Sequence, residues 1–340
     1  MAGKQRVTLA DVARQAGLSK SAASMILNDR PGTRLSMEAH ERVHAAAAAL
    51  GYRPNGLARG LWTGKTQTIG FISDHVATTR FAGGLIKGAL DAAEAAGHVL
   101  LVLETGGEPA GASDAVAAVL ERQVDGIVLA SLRSRELFAP EIPTDTPVVM
   151  LNATSDRHPV SVMPDELVGG RSAVKLLIDN GHREGIALIG HSDAAERGVF
   201  RSTAIARRVE GIRTAMAEHG LVFVAEESSW LWEPEEGYDA TNRLLMHHRD
   251  VRALVCMNDR LAFGAYQALS DAGRSVPNDV SVVSFDNDEL ASYLRPGLTT
   301  IALPHEAMGS AAVELLLSKA PAGETLIAMP VVERASILRV

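Results

Sequence analysis

The 340 residues predict an α/β fold with two parts, an N-terminal all-α helix-turn-helix domain and a larger two-lobed α/β domain. Two short helical patterns with caps, separated by a glycine, occupy residues 7–28. Residues 1–65 contain ten Lys and Arg against four Asp and Glu, a net charge of +6, so the whole-chain charge of −8 leaves −14 for residues 66–340. A small basic module on an acidic body is typical of proteins that bind nucleic acid through the module.

The first helix is predicted to begin after Thr8 and to end at Gly17. Thr8 is a natural N-cap, and Asp11 stands three residues later, so the hydroxyl and the carboxylate can satisfy N–H groups of the first turn. Val12 and Ala13 give the helix an apolar face. Glycine ends a helix at little cost because it adopts the left-handed conformation of a C-cap.

A second helix is predicted after Ser19, which can cap it. Its apolar residues fall on one face, and the N-terminal part of such a helix contacts base edges in the major groove. Any small helical hairpin could share part of this pattern, but two caps and a glycine turn in register favour the DNA-binding interpretation. The outward-facing residues are Lys20, Ser21, Ser24 and Met25.

A third helix is predicted from its N-cap Ser36 to Leu50, and Gly51 ends it. Val43, Ala47 and Leu50 form a stripe that can cover the other two helices. The resulting core is small, so the domain has limited stability by itself.

The segment after Pro54 is either a plain interdomain linker or a short helix that forms on binding. Asn55 can cap a helical turn, but Gly56 and Gly60 make an isolated helix marginal. From these residues alone, the linker is the simpler interpretation.

The rest of the chain has the pattern of parallel α/β sheets. Short apolar runs alternate with amphipathic stretches from about residue 67 onward. The strands are too many for one small Rossmann unit, and the length suits two similar lobes with a cleft between them. The predicted strands are 68–73, 99–103, 126–130, 148–151, 186–189, 253–257 and 280–285, with a helix over 81–96.

Composition limits the cellular setting. Cys256 is the only cysteine, which excludes an intrachain disulfide, and its apolar strand indicates a buried structural thiol. No apolar run approaches the length of a membrane span, and the N-terminus lacks the apolar stretch of a signal peptide. The sequence therefore predicts a cytoplasmic protein with no membrane partner.

Patterns for catalysis or metal binding are weak. Gly83, Gly84 and Gly88 lack the spacing of a dinucleotide fingerprint, and no P-loop is present. The His247-His248 pair lies on a polar helical stretch, where a solvated surface is more common than a metal site. We therefore expect no enzyme activity, no cofactor and no metal site.

Polar residues at strand ends predict a site for a small polar ligand instead. Asp286 ends one strand and Asn258 follows another, and in open α/β sheets ligands lie outside the carboxyl ends of the strands. A carboxylate there can accept hydrogen bonds from sugar hydroxyls.

The N-terminal motifs resemble those of the lactose and galactose repressor (LacI/GalR) family of bacterial transcription regulators. The matching residues are Val7-Thr8-Leu9, Asp11-Val12-Ala13, Ala16-Gly17, Ser19, Ser24, Asn28, the run from Leu50 to Asn55, and Leu57-Ala58-Arg59 with Leu61. The resemblance implies that Lys20, Ser21 and Met25 take the base-contacting positions. It also implies that residues 55–62 form a hinge helix, which enters the minor groove beside its dimer mate with Leu61 as the wedge.

Two residues depart from the family pattern. Ala22 stands where a phosphate-contacting Thr is usual, and His40 where Arg is frequent. Some contacts to the DNA backbone are therefore expected either to be weaker or to come from Arg34 and Arg42. The main expected DNA contacts are Thr8, Ser19, Lys20, Ser21, Ser24, Met25, Asn28, Arg34, Asn55, Ala58 and Leu61.

The resemblance extends over nearly the whole chain and implies a periplasmic-binding-protein fold for the body. Expected domains are the helix-turn-helix (1–53), the hinge helix and linker (54–65), and the effector-binding and dimerisation domain (66–340). The N-terminal lobe is expected over about 66–166 and 299–329, and the C-terminal lobe over about 167–298 and 330–340.

The resemblance also implies effector contacts from Arg208, Trp232, Asn258 and Asp286, with Asp74, Thr79 and Phe81 as weaker candidates. Structural alternatives exist for three of these. Asp286 could cap the next turn, Arg208 could form a surface ion pair with Glu210 or Glu218, and Trp232 could belong to the core.

The sequence thus predicts a dimeric regulator, a repressor that a small-molecule effector, most simply a sugar, releases from a palindromic operator in double-stranded DNA. One alternative is corepression by a nucleobase-like effector. Another is a sugar-acting enzyme or a solute-binding protein fused to a DNA module.

Overall fold

The computed structural model describes residues 7–28, 35–52, 65–79, 82–137, 139–192 and 202–340. These residues group into an N-terminal helical unit and a larger α/β unit, and each is described by itself. The predicted DNA contacts Arg34, Asn55, Ala58 and Leu61, the hinge helix, and the effector candidate Phe81 lie outside the described residues.

Three helices form the N-terminal unit: α1 (Leu9–Ala16), α2 (Lys20–Leu27) and α3 (Met37–Leu50). They pack around a small apolar core in which Val12, Ala23 and Val43 are fully buried. Gly17 ends α1 with a φ of +68°, a conformation that glycine adopts without steric cost. The three predicted helices are confirmed.

Polar side chains cap the N-terminal ends of these helices. The Ser19 hydroxyl accepts a hydrogen bond from the Ala22 N–H at 3.1 Å, and Ser36 makes the equivalent bond in α3 at 3.2 Å. In α1, Asp11 accepts hydrogen bonds from the backbone N–H (3.0 Å) and the hydroxyl (2.7 Å) of Thr8. Caps of this kind stabilise a helix by about 1 kcal/mol each.

The α/β unit alternates strands and helices along the chain, as the sequence predicts. Its strands are β1 (Thr68–Ser73), β2 (Val99–Glu104), β3 (Gly126–Glu136), β4 (Val148–Thr154), β5 (Val160–Pro164), β6 (Ile186–Ile189), β7 (Ala225–Glu227), β8 (Ala253–Cys256), β9 (Ser281–Asp286), β10 (Thr299–Ala302), β11 (Gly323–Ile327) and β12 (Val331–Val332). Its helices are α4 (Gly83–Ala95), α5 (Pro109–Glu121), α6 (Glu166–Asp179), α7 (Thr203–Glu218), α8 (Pro234–His247), α9 (Asp259–Asp271), α10 (Glu289–Tyr293) and α11 (His305–Ser318).

These strands form two six-stranded sheets, counted over the described residues. The first sheet has the order β11-β5-β4-β3-β1-β2, and its β11-β5, β5-β4, β4-β3 and β3-β1 pairs are parallel. The second has the order β12-β10-β9-β8-β6-β7, and only its β12-β10 pair is antiparallel. A separate apolar core lies against each sheet, with Phe71 fully buried in the first and Phe285 in the second.

The chain passes between the two sheets three times, after β5, β10 and β11. The lobe bounds predicted from the sequence place residues 299–302 in the first lobe. That assignment is wrong, because β10 pairs with β9, Thr299 opposite Val283, inside the second sheet. All four β10 residues are buried there, and the crossover follows Ala302.

Strand β3 is longer than predicted. After an irregularity between Ala130 and Arg135 it resumes pairing with β4 and continues to Glu136. The Leu137 N–H extends this pairing with a hydrogen bond to the Thr154 carbonyl at 2.8 Å. No helix in the described ranges is long and apolar enough to cross a bilayer.

Candidate functional site

The start of α2 presents a polar surface in the helical unit. Lys20 and Ser21 are exposed, and Ser24 and Met25 are partly exposed, whereas Ile26 on the inner face is fully buried. The α2 residues that the sequence predicts as base contacts are therefore accessible at least in part.

Asn28 has a role inside the helical unit. Its Nδ2 donates to the Ser24 carbonyl at 2.8 Å and lies 3.3 Å from the Ser24 hydroxyl. These bonds close the C-terminal end of α2, where Asn28 is the C-cap. Asn28 is predicted to contact DNA, and in the structure the same side chain fixes the C-terminal end of α2.

In the α/β unit, a close crossing of α6 and α7 brings Glu166 and Arg208 together. A Cβ atom on Gly170 would lie 2.2 Å from the Arg208 carbonyl oxygen, and one on Gly211 would lie 2.1 Å from the Leu167 carbonyl oxygen. Side chains do not fit at such distances, so the two glycines allow the helices to approach until Glu166 and Arg208 meet.

Arg208 is held at three points by buried groups. Its Nε and one terminal nitrogen donate to the two Glu166 oxygens at 2.6 and 2.7 Å, and the other terminal nitrogen donates to the Met257 carbonyl at 2.6 Å. Both charged side chains are only 3% exposed. Burial lowers the pKa of Arg208, but the charge and hydrogen bonds of Glu166, together with the charges of Asp286 and Asp259, outweigh burial and raise that pKa above its usual value, so the guanidinium remains charged.

This geometry overturns one alternative from the sequence. Arg208 does not form a surface ion pair with Glu210 or Glu218, because it is buried and faces Glu166. Glu218 pairs instead with Arg171, at 2.5 Å, on the exposed side of the same two helices.

Aromatic rings lie beside the guanidinium. The Arg208 Cζ is 4.3 Å from the centre of the Phe285 ring and 5.8 Å from that of Trp232. The Trp232 indole donates to the Gly190 carbonyl at 3.0 Å, and the Trp232 carbonyl accepts from the Asn258 amide at 3.2 Å. Because Asn258 also caps the N-terminus of α9, these side chains are fixed before any ligand arrives.

Asp286 completes this group at the end of β9. One of its oxygens lies 3.7 Å from Arg208, and its side chain is 13% exposed. Its φ of +103° is rare for a residue with a side chain and costs on the order of 1–3 kcal/mol. Strained backbone of this kind clusters at ligand sites, where the surrounding fold holds one residue in place.

Too many carboxylates surround one guanidinium for all of them to ionise freely. Burial raises the pKa of Asp286 to about 8; Arg208 lowers it, and the charges of Asp259 and Glu166 raise it. Burial likewise raises the pKa of Asp259, to about 6. Hydrogen bonds lower it, among them one from the Ser284 hydroxyl, but they do not cancel the effect of burial. At neutral pH, Asp286 is therefore mainly protonated and can donate as well as accept a hydrogen bond.

A second polar cluster lies at the end of β1 in the first sheet. Asp74 accepts hydrogen bonds from the Ser131 hydroxyl (2.7 Å) and the Leu132 N–H (2.8 Å), and forms an ion pair with Arg135 at 2.8 Å. Burial raises the pKa of Asp74, but these hydrogen bonds and the charge of Arg135 bring it below its usual value. Asn152 supports the cluster by donating to the Ser131 carbonyl at 2.9 Å.

The predicted effector residues therefore fall into two groups. Arg208, Trp232, Asn258 and Asp286 come together at the carboxyl edge of the second sheet, whereas Asp74 and Thr79 follow β1 in the first. The Thr79 hydroxyl accepts a weak bond from the Ala82 N–H at 3.4 Å. Sequence reasoning missed Glu166 and Arg135; the only signal for Glu166 was its place just after the end of β5.

Two further predictions concern reactive chemistry. Cys256 is fully buried, as predicted for a structural thiol, and burial raises its pKa. Within the part of the chain that the structure describes, no group of three or more His, Cys, Asp and Glu could hold a metal ion.

Comparison with protein families and with curated proteins gives consistent matches. Residues 8–55 match the model of bacterial regulatory proteins of the lacI family, and residues 174–337 match a periplasmic-binding-protein-like domain. The ribose operon repressor of Escherichia coli K12 is 33% identical over 319 residues, 92% of each chain. The HTH-type transcriptional repressor PurR of Vibrio campbellii is 34% identical over 324 residues, which are 92% of this chain and 91% of PurR.

Solved structures match over nearly the full length. The lac repressor dimer bound to operator and the anti-inducer ONPF has a TM-score of 0.77 at 25% identity, covering 98% of this chain and 100% of that one. The lac repressor bound to ONPG in the repressed state has a TM-score of 0.75 at 26% identity, with the same coverage.

Proposed function

Because this chain belongs to the LacI family of bacterial regulatory proteins, we propose that it is a sequence-specific DNA-binding transcription repressor controlled by a small-molecule effector. The helical unit binds operator DNA, and the effector binds in the α/β unit between the two lobes. The observation that supports DNA binding most directly is the exposed start of α2, at Lys20 and Ser21, in a capped helix-turn-helix within the region that the family model matches.

In this proposal, α2 contacts base edges and the hinge segment inserts Leu61 into the minor groove. Two copies of the chain bind a palindromic operator, as expected for a two-fold dimer, and the lac repressor was solved as an operator-bound dimer. The chain is then not an enzyme, and it acts in the cytoplasm, where operator DNA is.

The effector is proposed to be a sugar held at the carboxyl edge of the second sheet. The protonated Asp286 can exchange hydrogen bonds with sugar hydroxyls, and the Trp232 ring provides an apolar face for the sugar ring. The similarity to the ribose operon repressor supports this choice. Binding at this edge would close the lobes and release the operator, since a ligand favours the state to which it binds more tightly.

A corepressor with a nucleobase-like structure is the second candidate. The flat Phe285 and Trp232 rings beside Arg208 suit a planar base as well as a sugar. In that case the ligand would tighten operator binding instead of weakening it.

Selection of binding sites from a random double-stranded DNA library tests the proposal. We expect a palindromic sequence to be enriched by the full chain, and its complex to respond to one compound from a panel of neutral sugars and nucleobases, followed by fluorescence anisotropy. A chain with Lys20 and Ser21 both replaced by Ala should not enrich that sequence. Equal binding of all sequences by the parent chain would contradict the proposal.

A further inference from the structure

The charges around Arg208 are unbalanced in favour of carboxylates. Among the described residues, the carboxyl groups of Glu166, Asp259 and Asp286 act on this single guanidinium. Asp286 is mainly protonated at neutral pH, so Glu166 and Asp259 carry most of the negative charge. Asp259 is fully buried, with its carboxylate held by the Ser284 hydroxyl and, at 2.7 Å, by the Asp288 N–H. A negatively charged ligand that approaches Arg208 would therefore also meet a group of buried carboxylates.

The geometry leaves the guanidinium little capacity for an anion. An arginine recognises a phosphate or carboxylate best through two parallel N–H donors in a planar fork. In this protein, Nε and its neighbouring terminal nitrogen already direct that fork at Glu166, at 2.6 and 2.7 Å, and the third nitrogen faces the Met257 carbonyl. Glu166 thus occupies the position on Arg208 that an anionic ligand group would need.

We propose that Glu166 is a specificity-determining residue, which excludes phosphorylated and other anionic compounds from the effector site and restricts that site to uncharged, hydroxyl-bearing ligands. The inference rests on the proposed function, because it concerns the same effector site. It goes further by assigning the selection of ligand charge to one residue of α6, which acts through its contact with Arg208.

The test measures ligand-induced shifts in Tm of the full chain at pH 7.5 and constant ionic strength, since a ligand that binds the folded state raises its Tm. The probes are ribose 5-phosphate, ribose and inorganic phosphate, with chloride as the matched salt. The variants are Glu166→Gln, which removes the charge and keeps the size, Glu166→Ser as a second uncharged residue, and Glu166→Asp, which keeps the charge. Glu218→Gln is the matched control, because it also removes a carboxylate paired with an arginine across α6 and α7, on the exposed side.

We expect the two uncharged variants to gain a Tm increase with phosphate or ribose 5-phosphate that corresponds to at least tenfold tighter binding than in the parent. The parent, Glu166→Asp and Glu218→Gln should show no increase beyond that in chloride. Because each shift is measured against the same variant without ligand, a lower starting Tm does not affect the comparison. Circular dichroism identifies a variant that does not fold. If one uncharged variant does not fold, the inference is tested with the other.

Two results would overturn the inference. One is that neither uncharged variant gains affinity for the anionic probes, and the other is that the parent already binds them. A different result would contradict the proposed function, namely that the full chain selects no operator sequence. Whether Glu166→Gln binds anions has no bearing on that result.

Discussion

Arg208 and Glu166 form a two-point ion pair with N···O distances of 2.6 and 2.7 Å, and each side chain is 3% exposed. The two residues are 42 positions apart in the sequence and lie on different helices. Their contact holds α6 against α7 and orients the guanidinium beside Asp286, so one interaction contributes both to the fold and to the candidate effector site.

Replacing Arg208 by Met should destabilise the α/β unit strongly. Glu166 would remain buried without its partner, and breaking a buried ion pair from one side costs about 3–5 kcal/mol. Urea unfolding followed by circular dichroism measures the loss. The double variant Arg208→Met with Glu166→Leu should lose less than the single variant, because no unpaired charge remains. A double variant at least as unstable as the single one would show that the broken ion pair is not the cause of the lost stability.

Replacing Gly211 by Ala should force α6 and α7 apart. The new Cβ would lie 2.1 Å from the Leu167 carbonyl oxygen, and overpacking of this kind costs about 1–3 kcal/mol. The free energy of unfolding should fall by that amount, and the response to effector should weaken because Arg208 moves from Glu166. Gly83→Ala is the control, since no atom lies within 4 Å of its Cβ position. Similar losses in the two variants would contradict the helix-crossing explanation.

The free energy of unfolding should decrease as pH rises from about 6.5 to 8. The pKa of Asp286 is about 8, far above its usual value of 3.8, so over this range the folded protein binds a proton that the unfolded chain has lost. Stability therefore falls with increasing pH, with a limiting slope of about 1.4 kcal/mol per pH unit for one proton. Asp259, whose pKa is about 6, titrates mostly below this range and adds to the slope only near pH 6.5.

Asp286→Asn should flatten this dependence, because the amide does not titrate. The groups that act on Asp286 are Arg208, Asp259, Glu166 and Asp288, and all remain in the variant. Urea unfolding at four pH values from 6.5 to 8 gives the slope. Asp179→Asn, at an exposed aspartate paired with Lys175, is the control and should keep the slope of the parent. A variant with an unchanged slope would exclude Asp286 as the group responsible.

Exchanging Lys20 and Ser21 for other residues should change which operator is preferred. Side chains that contact base edges contribute about 1–3 kcal/mol of discrimination for each affected base pair, whereas phosphate contacts weaken all sequences alike. Site selection and anisotropy with each variant separate these effects. Lys175→Ala removes the same charge far along the chain and should leave the preference unchanged. A uniform loss on every sequence would reassign Lys20 and Ser21 to the DNA backbone.

Without effector, Asp286→Ala should bind the operator about as tightly as the parent. A higher effector concentration should then be needed to change operator binding. Loss of a hydrogen bond to a buried polar or charged group costs about 1–3 kcal/mol, which corresponds to roughly 5–150-fold in concentration. Titration of the operator complex with the effector found above measures the midpoint. An unchanged midpoint would remove Asp286 from the effector site, and failure to bind operator without effector would assign it a structural role.

The sequence by itself predicts most of the local structure. Thr8, Ser19 and Ser36 mark helix starts and Gly17 marks a helix end, because caps depend on residues within one turn. The main strands were also predicted, since buried parallel strands appear as short apolar runs. The family resemblance predicted a shared site for Arg208, Trp232, Asn258 and Asp286, and the fold brings these residues together.

Only the tertiary structure decides how distant segments combine. No local pattern indicates that β10 joins the second sheet, because its sheet depends on pairing with β9 and β12. Nor does a local pattern pair Arg208 with Glu166, since α6 and α7 meet only where Gly170 and Gly211 permit a close crossing. The pKa of Asp286 likewise depends on burial and on carboxylates from other elements. Charge interactions act through space, so their sum at a site is defined only once the chain has folded.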